Sequence, residues 1–168
     1  MKIFSHSRTS EQDYTLYAIV FLVAIGARTF FLIWIDEPIL FFKYPYFAEK
    51  LAGGGDIGER LVDLSPFYLY FLTLLKIIFG PDWATAKLIQ SFIGALNALI
   101  IFALGNRIFN KTAGLFAALI YALYGNVIIL ESTLEPTVFV LLFNLLSVYF
   151  LVLAKDKSNS PPQSTVPI

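Results

Sequence analysis

The stretch Tyr14–Ile35, YTLYAIVFLVAIGARTFFLIWI, decides the fold class. It runs for 22 residues with a single charged side chain, Arg28, and a bilayer core of about 30 Å calls for roughly 20 apolar residues in one helix. It therefore reads as a transmembrane helix. Its length, and the lack of a small-residue cleavage site before the next polar segment, set it apart from a signal peptide. Directly after it come Asp36, Glu37 and Pro38. An ionised carboxylate at mid-bilayer costs about 3 kcal/mol or more, so this pair marks either the point where the helix has reached water or a place built for chemistry.

The rest of the chain belongs to the same solvent class. Apolar residues make up 58% and charged residues 14% of the 168, with a mean hydropathy of +0.74; soluble domains hold roughly half and a quarter respectively. There is no cysteine, which removes disulfides and thiolate metal sites. The lone histidine, His6, is read as a solvated terminal residue. A net charge of zero without any Lys/Arg run gives no basic patch for nucleic acid, so no nucleic-acid partner is expected.

Three further stretches have spanning length: 84–105, 112–130 and 134–154. A fifth apolar segment, Pro66 to Phe79, is stopped after 14 residues by Gly80-Pro81 and suits a re-entrant or surface-lying helix, its aromatics at headgroup level. Lys and Arg mark the N-terminus (Lys2, Arg8), the 106–111 turn (Arg107, Lys111) and the tail (Lys155, Lys157) as inner segments. The 36–83 connection has seven acids against four bases and, with Glu131 and Glu135, is expected to face outward. Within it, Ile39 to Ala52 places Ile39, Phe42, Tyr46 and Leu51 opposite Lys43, Glu49 and Lys50, an amphipathic surface helix ended by Gly53-Gly54-Gly55. These glycines lack the strand and lysine spacing of a phosphate loop. The expected fold is an all-α membrane protein with about four transmembrane helices plus amphipathic surface helices in a long first outer loop. Residues 1–155 form one membrane-embedded module, and 156–168 a disordered tail.

Four carboxylates, Asp36, Glu37, Glu131 and Glu135, would meet at one membrane face in this topology. Each alone also fits a solvated helix end, the reading preferred for Glu131. Glu135, followed by Pro136, also fits a favourable first-turn acid at a helix head. Arg28 lies about 10 Å below the outer surface at 1.5 Å per residue. It either snorkels outward or faces the bundle interior, pairing with a carboxylate or a lipid phosphate. Asn97, Asn126 and Asn144 suit hydrogen bonds between helices, and Gly94 and Ala98 suit close helix packing.

The acid pair after the first span, the long outer loop and the acid-Pro at the head of the fourth span together resemble the GT-C glycosyltransferases. The branch is that of the protein O-mannosyltransferases and the lipid A aminoarabinose transferase. The strings that carry the resemblance are Ile35-Asp36-Glu37-Pro38, Tyr46 to Gly53 (YFAEKLAG), Ser65 to Phe71 (SPFYLYF), Ile78-Phe79-Gly80-Pro81, Leu88 to Leu96 (LIQSFIGAL) and Leu134-Glu135-Pro136-Thr137. In order and spacing they match the amino-terminal third of that family. The resemblance implies transfer of a sugar from a polyprenyl-phosphate donor, within membrane lipid, to an unidentified acceptor on the outer face. It also implies a bacterial inner membrane, with the active face extracytoplasmic. Asp36, with Glu37 beside it, takes the position of the catalytic acid that accepts the acceptor's hydroxyl proton. Glu135 takes the second acidic position, held by Asp in most members. Pro66 and Tyr68 match the segment near the carrier phosphate; Ser65 stands where many members have Lys or His, which leaves Arg60 or Arg28 to meet the phosphate charge. The family continues through more spans, so this chain is expected to be the amino-terminal part of a larger transferase and inactive alone. No organic cofactor is implied. Outer-face carboxylates suit a hard divalent cation, but no ligand set of diagnostic spacing is present. The alternative is a small non-catalytic four-span membrane protein, a transporter subunit or a scaffold.

Overall fold

The structure, a computed structural model, describes residues 11–34, 43–58, 63–80 and 82–158. Among them every regular element is a helix: α1 (Glu11–Trp34), α2 (Lys43–Ala52), α3 (Pro66–Phe79), α4 (Ala84–Ile108), α5 (Lys111–Leu123), α6 (Gly125–Ser132) and α7 (Thr137–Ser158). Helices α1, α4 and α7 are each long and apolar enough to cross a membrane, and α5 with α6 makes a fourth candidate bent by 52°. This is an all-α membrane protein.

The bend corrects the continuous span expected over 112–130. Tyr124 leaves the helix with φ −73° and ψ +104°, and α6 restarts at Gly125. At the other limit α7 runs to Ser158, three residues into the segment expected as tail, because Asp156 in its last turn accepts from Arg107 Nε at 2.6 Å. Helix α3 spans Pro66–Phe79. It begins with proline at a position whose amide has no helical partner to lose.

Helix α4 is the centre of the bundle and touches α1, α3, α5, α6 and α7. The pairings fix direction. Tyr17 near the start of α1 meets Phe102 near the end of α4 in an edge-to-face contact at 4.7 Å, so these helices run antiparallel. Gln90, Asn97 and Arg107 bond in turn to Glu135, Val138 and Asp156, so α4 and α7 run parallel. The exit of α1, the start of α4 and the α6–α7 turn therefore share one end of the bundle.

Two apolar clusters hold this arrangement. One joins Val20 and Ala24 of α1 to Ala95, Ala98 and Phe102 of α4 and Ala118 and Ala122 of α5, small side chains that let helices approach closely where lipid offers no hydrophobic drive of its own. Ala98 thus packs as expected. The other places α2 and α3 over the heads of α4 and α7, through Tyr44, Phe47, Tyr68, Leu69, Leu72, Val138 and Phe139 among others. Tyr44, Phe47, Ala48 and Leu51 form the inward stripe of α2 at helical spacing. The expected stripe included Tyr46, which is exposed; Ile39 and Phe42 lie outside the described residues. The reason is the partner: α2 packs on α3 of its own chain, and that contact selects the buried face. Asn126 and Asn144 bond only within their own stretch, to Tyr124 Oη and Val140 O, unlike the interhelical bond of Asn97.

Helices α4 and α5 form a tight hairpin. Asn110 caps α5 by accepting the Ala113 amide at 2.9 Å, and Gly105 lies against Gly114 so closely that a Cβ on either would come within 2.5 Å of the other helix's backbone. Gly105→Val is predicted to force the pair apart at a cost of about 1–3 kcal/mol. A lower thermal midpoint in detergent, followed by circular dichroism, is the expected result; an unchanged midpoint would contradict this packing.

Candidate functional site at the head of helix α7

Glu135 lies in the turn between α6 and α7. Leu134 just before it has φ +56°, a left-handed conformation that costs a non-glycine residue on the order of 1–3 kcal/mol. Its side chain is wholly buried in the cluster beneath α2 and α3. Burial of the leucine thus holds the turn in a shape its backbone alone would not choose. Beyond Glu135, the Pro136 carbonyl accepts the Phe139 and Val140 amides at 3.0 and 3.1 Å and starts α7.

Gln90 locks the same turn from α4. It is fully buried, donates Nε2 to the Glu135 carbonyl at 3.0 Å, and accepts the Tyr68 hydroxyl on Oε1 at 3.1 Å. Tyr68 stands edge-on to Tyr44 with ring centroids 5.0 Å apart. The Tyr44 hydroxyl accepts the Ser65 amide at 3.0 Å, just before Pro66 opens α3. Lys43 Nζ donates to the Asp63 carbonyl at 3.2 Å. Tyr68 and Glu135, expected from the sequence as parts of one site, are therefore bridged by a single side chain.

The electrostatics suit proton-handling groups. Burial raises the Glu135 carboxyl above the ordinary carboxylate range, with the positive charge of Lys43 pulling it back. Burial, then the negative charge of Glu135, pushes the Tyr68 phenol well above its usual range, so it remains a hydrogen-bond donor.

Arg28 belongs to a second cluster one turn further along α4. Its Nε and Nη2 donate to Glu131 Oε2 and Oε1 at 2.6 and 3.2 Å, and Nη1 donates to the carbonyls of Ala24 at 3.0 Å and Ala122 at 3.4 Å. The Tyr121 hydroxyl donates to Glu131 Oε1 at 3.0 Å, and its ring lies 5.4 Å from the guanidinium carbon. Arg28 and Glu131 are 1% and 2% exposed. Of the two readings open for Arg28, the structure has the inward one, with a carboxylate as partner. The expectation for Glu131 is overturned: it is a buried counter-ion rather than a solvated helix end. A Cβ on Gly94 would collide with both members of the pair, so the expected close packing at Gly94 is packing against the ion pair itself.

Gln90, Gly94 and Asn97 thus present one face of α4 to the 131–138 segment, at i, i+4 and i+7. Gln90 is absent from the sequence-derived site. The signal for it is present in the sequence, since polar or tiny residues at that spacing in an apolar helix mark a face turned toward something other than lipid.

Residues 63–162, well over half of the chain, match the dolichyl-phosphate-mannose-protein mannosyltransferase family. The chain belongs to that family. It is thus a GT-C-type glycosyltransferase family member built of membrane helices. No curated protein and no solved structure matches it. The family match covers Pro66, Tyr68, Gln90 and Glu135. Asp36, Glu37 and Arg60, the other expected site residues, lie outside the described residues. Among the described residues no group of three or more His, Cys, Asp or Glu could hold a metal ion.

Removing one member of a buried pair strands the other, at a cost of about 3–5 kcal/mol, whereas replacing both with apolar residues of similar volume is often neutral. In this mannosyltransferase-family chain Arg28→Met and Glu131→Met are each predicted to cause a large loss of stability, and the double variant to recover most of it. A thermal-stability double-mutant cycle in detergent checks this; additive losses would contradict a coupled pair.

Proposed function

We propose that this chain takes part in the transfer of a glycosyl unit from a polyprenyl-phosphate donor to an acceptor hydroxyl at the outer membrane face. Mannose is the sugar named for its family. The observation that carries the reading is the meeting of Glu135, Tyr68 and Lys43 at the end of the bundle where α1 leaves it. The last described residue of α1, Trp34, lies six residues beyond Arg28, about 9 Å at 1.5 Å per residue. That rise runs toward the end where Glu135 sits, which supports bringing Asp36 and Glu37 to the same site.

In the proposed reaction the acceptor oxygen attacks the anomeric carbon as the bond from that carbon to the phosphate oxygen breaks, and the polyprenyl phosphate departs with the bonding electrons. The hydroxyl proton passes to the Asp36 carboxylate, a general-base role. Glu135 orients the acceptor or stabilises positive charge developing on the sugar, and Gln90 and Tyr68 hold its turn. Because Arg28 is engaged by Glu131, the carrier phosphate falls to the remaining cations of the outer loop, Arg60 as the resemblance implies and Lys43.

Asp36→Asn is predicted to lower transfer by roughly 10²–10⁴-fold while membrane insertion stays intact, measured with a polyprenyl-phosphate mannose donor in vesicles containing the transferase. Near-normal turnover would remove Asp36 from the role of base. Glu135 must be ionised to act as assigned, so the rate should fall as pH drops through its raised pKa. Lys43 lowers that pKa, so Lys43→Gln should move the acidic limb of the rate–pH profile to higher pH. A limb that stays in place or moves down would contradict the assignment.

A further inference from the structure

We infer that Tyr44, at the head of α2, is a further binding residue for the carrier phosphate, its hydroxyl donating to a phosphate oxygen beside Lys43. This rests on the glycosyl transfer proposed above and adds to it a residue that the sequence motifs pass over. Tyr44 is 9% exposed, its ring packed edge-on against Tyr68 in the cluster that holds α2 and α3. Its hydroxyl oxygen accepts the Ser65 amide at 3.0 Å. A phenol has one proton to donate as well as lone pairs to accept with, and the Tyr44 proton makes no hydrogen bond among the described residues. A donor on a buried side chain is costly to leave without an acceptor. The hydroxyl end is also the accessible one, since Ser65 beside it is half-buried and Asp63 is exposed.

The charge around that proton selects an anion as its acceptor. Helix α2 opens with Lys43 and has no acid in its first turn, although a helix N-terminus carries about half a positive charge and disfavours a cation. Lys43 Nζ donates to the Asp63 carbonyl at 3.2 Å, two residues before the amide that holds Tyr44, and reaches that carbonyl rather than the carboxylate. An ammonium has three N–H groups, so this bond leaves two. A lysine, a helix start and a phenol O–H are thus gathered over one short segment, and a phosphate is an acceptor that suits all three. Ser65 brings no charge of its own. The Lys43 charge also acts on the Glu135 carboxyl, which sets these donors beside the acid assigned to the sugar and acceptor. As the bond from the anomeric carbon to the phosphate oxygen breaks, its electron pair goes to the phosphate and the charge there rises. Donors fixed in advance at that oxygen stabilise the departing group. Tyr44 keeps its proton throughout, supplying a hydrogen bond where Lys43 supplies a charge.

The test titrates the transferase containing this chain, in lipid nanodiscs, with polyprenyl phosphate followed by phosphorus-31 NMR, and measures transfer from polyprenyl-phosphate mannose alongside. Tyr44→Phe is expected to weaken binding of the probe roughly tenfold or more and to raise KM for the mannosyl donor in step. The same substitution also removes the acceptor of the Ser65 amide, so 3-fluorotyrosine at position 44 separates the two roles. Its fluorine makes the hydroxyl a stronger donor and a weaker acceptor in nearly the same shape. Tighter binding than in the wild type is expected if the hydroxyl donates to phosphate, whereas a hydroxyl that only holds Ser65 gives unchanged or weaker binding. That second result, a Tyr44→Phe variant that binds the probe normally, or wild-type protein that does not bind it at all would overturn the role of Tyr44; transfer that continues in those cases leaves the glycosyl transfer standing. Binding that depends on Tyr44 in a protein that transfers no sugar would keep the phosphate contact and remove the transfer. Circular dichroism of each variant distinguishes a lost contact from a lost fold.

Discussion

A guanidinium and a carboxylate buried together at membrane depth constrain everything around them. Arg28 and Glu131 are separated by 103 residues, yet neither can remain charged in an apolar interior without the other. Their contact joins α1 to α6, and it is possible only because α4 offers a glycine at position 94 where any side chain would intrude. The break at Tyr124 belongs to the same arrangement. A straight continuation of α5 would carry Glu131 along a different line, whereas the 52° bend brings it back over α1 while Tyr121, just before the break, donates to the same carboxylate.

Fixing Glu131 also fixes the turn after it. Four residues later Glu135 emerges at the head of α7, in a turn held by three independent restraints: the ion pair behind it, the Gln90 amide on its carbonyl, and the buried Leu134 side chain in its strained backbone. The role proposed for this carboxylate, acting on a substrate, needs a geometry that does not relax when the substrate is absent. The restraints come from α1, α4 and the α2–α3 cap, so the position of one acid is determined by most of the described chain.

The helices are legible in the sequence where length and local breakers decide them. Gly80-Pro81 stops α3, and the uninterrupted apolar stretches identify α1, α4 and α7. Features that depend on distant partners are not legible. Gly125 directly after Tyr124 is a local sign of a break, but one glycine in an apolar helix does not by itself demand one; Arg28, the partner that the bend serves, lies far earlier in the chain. Glu131 looks like an ordinary helix-end acid for the same reason. The inward stripe of α2 is misplaced by including Tyr46, since a short amphipathic helix presents two plausible faces until the element it packs against is known. Of the candidate site, Tyr68 and Glu135 are proposed from their motifs, and the structure joins them through Gln90. Gln90, which joins them, is passed over because one polar residue in an apolar helix carries meaning only alongside Gly94 and Asn97 on the same face.

In the proposed reaction the acid after α1 and the acid heading α7 share one site. With no native cysteine in the chain, spin labels can be placed at Asp36→Cys and Glu135→Cys alone, and their separation measured by pulsed electron paramagnetic resonance in lipid bilayers. A shared site predicts one narrow distribution at short distance, within the reach of a single glycosyl unit plus the label linkers. A broad distribution, or a separation comparable to the thickness of the bilayer, would contradict it.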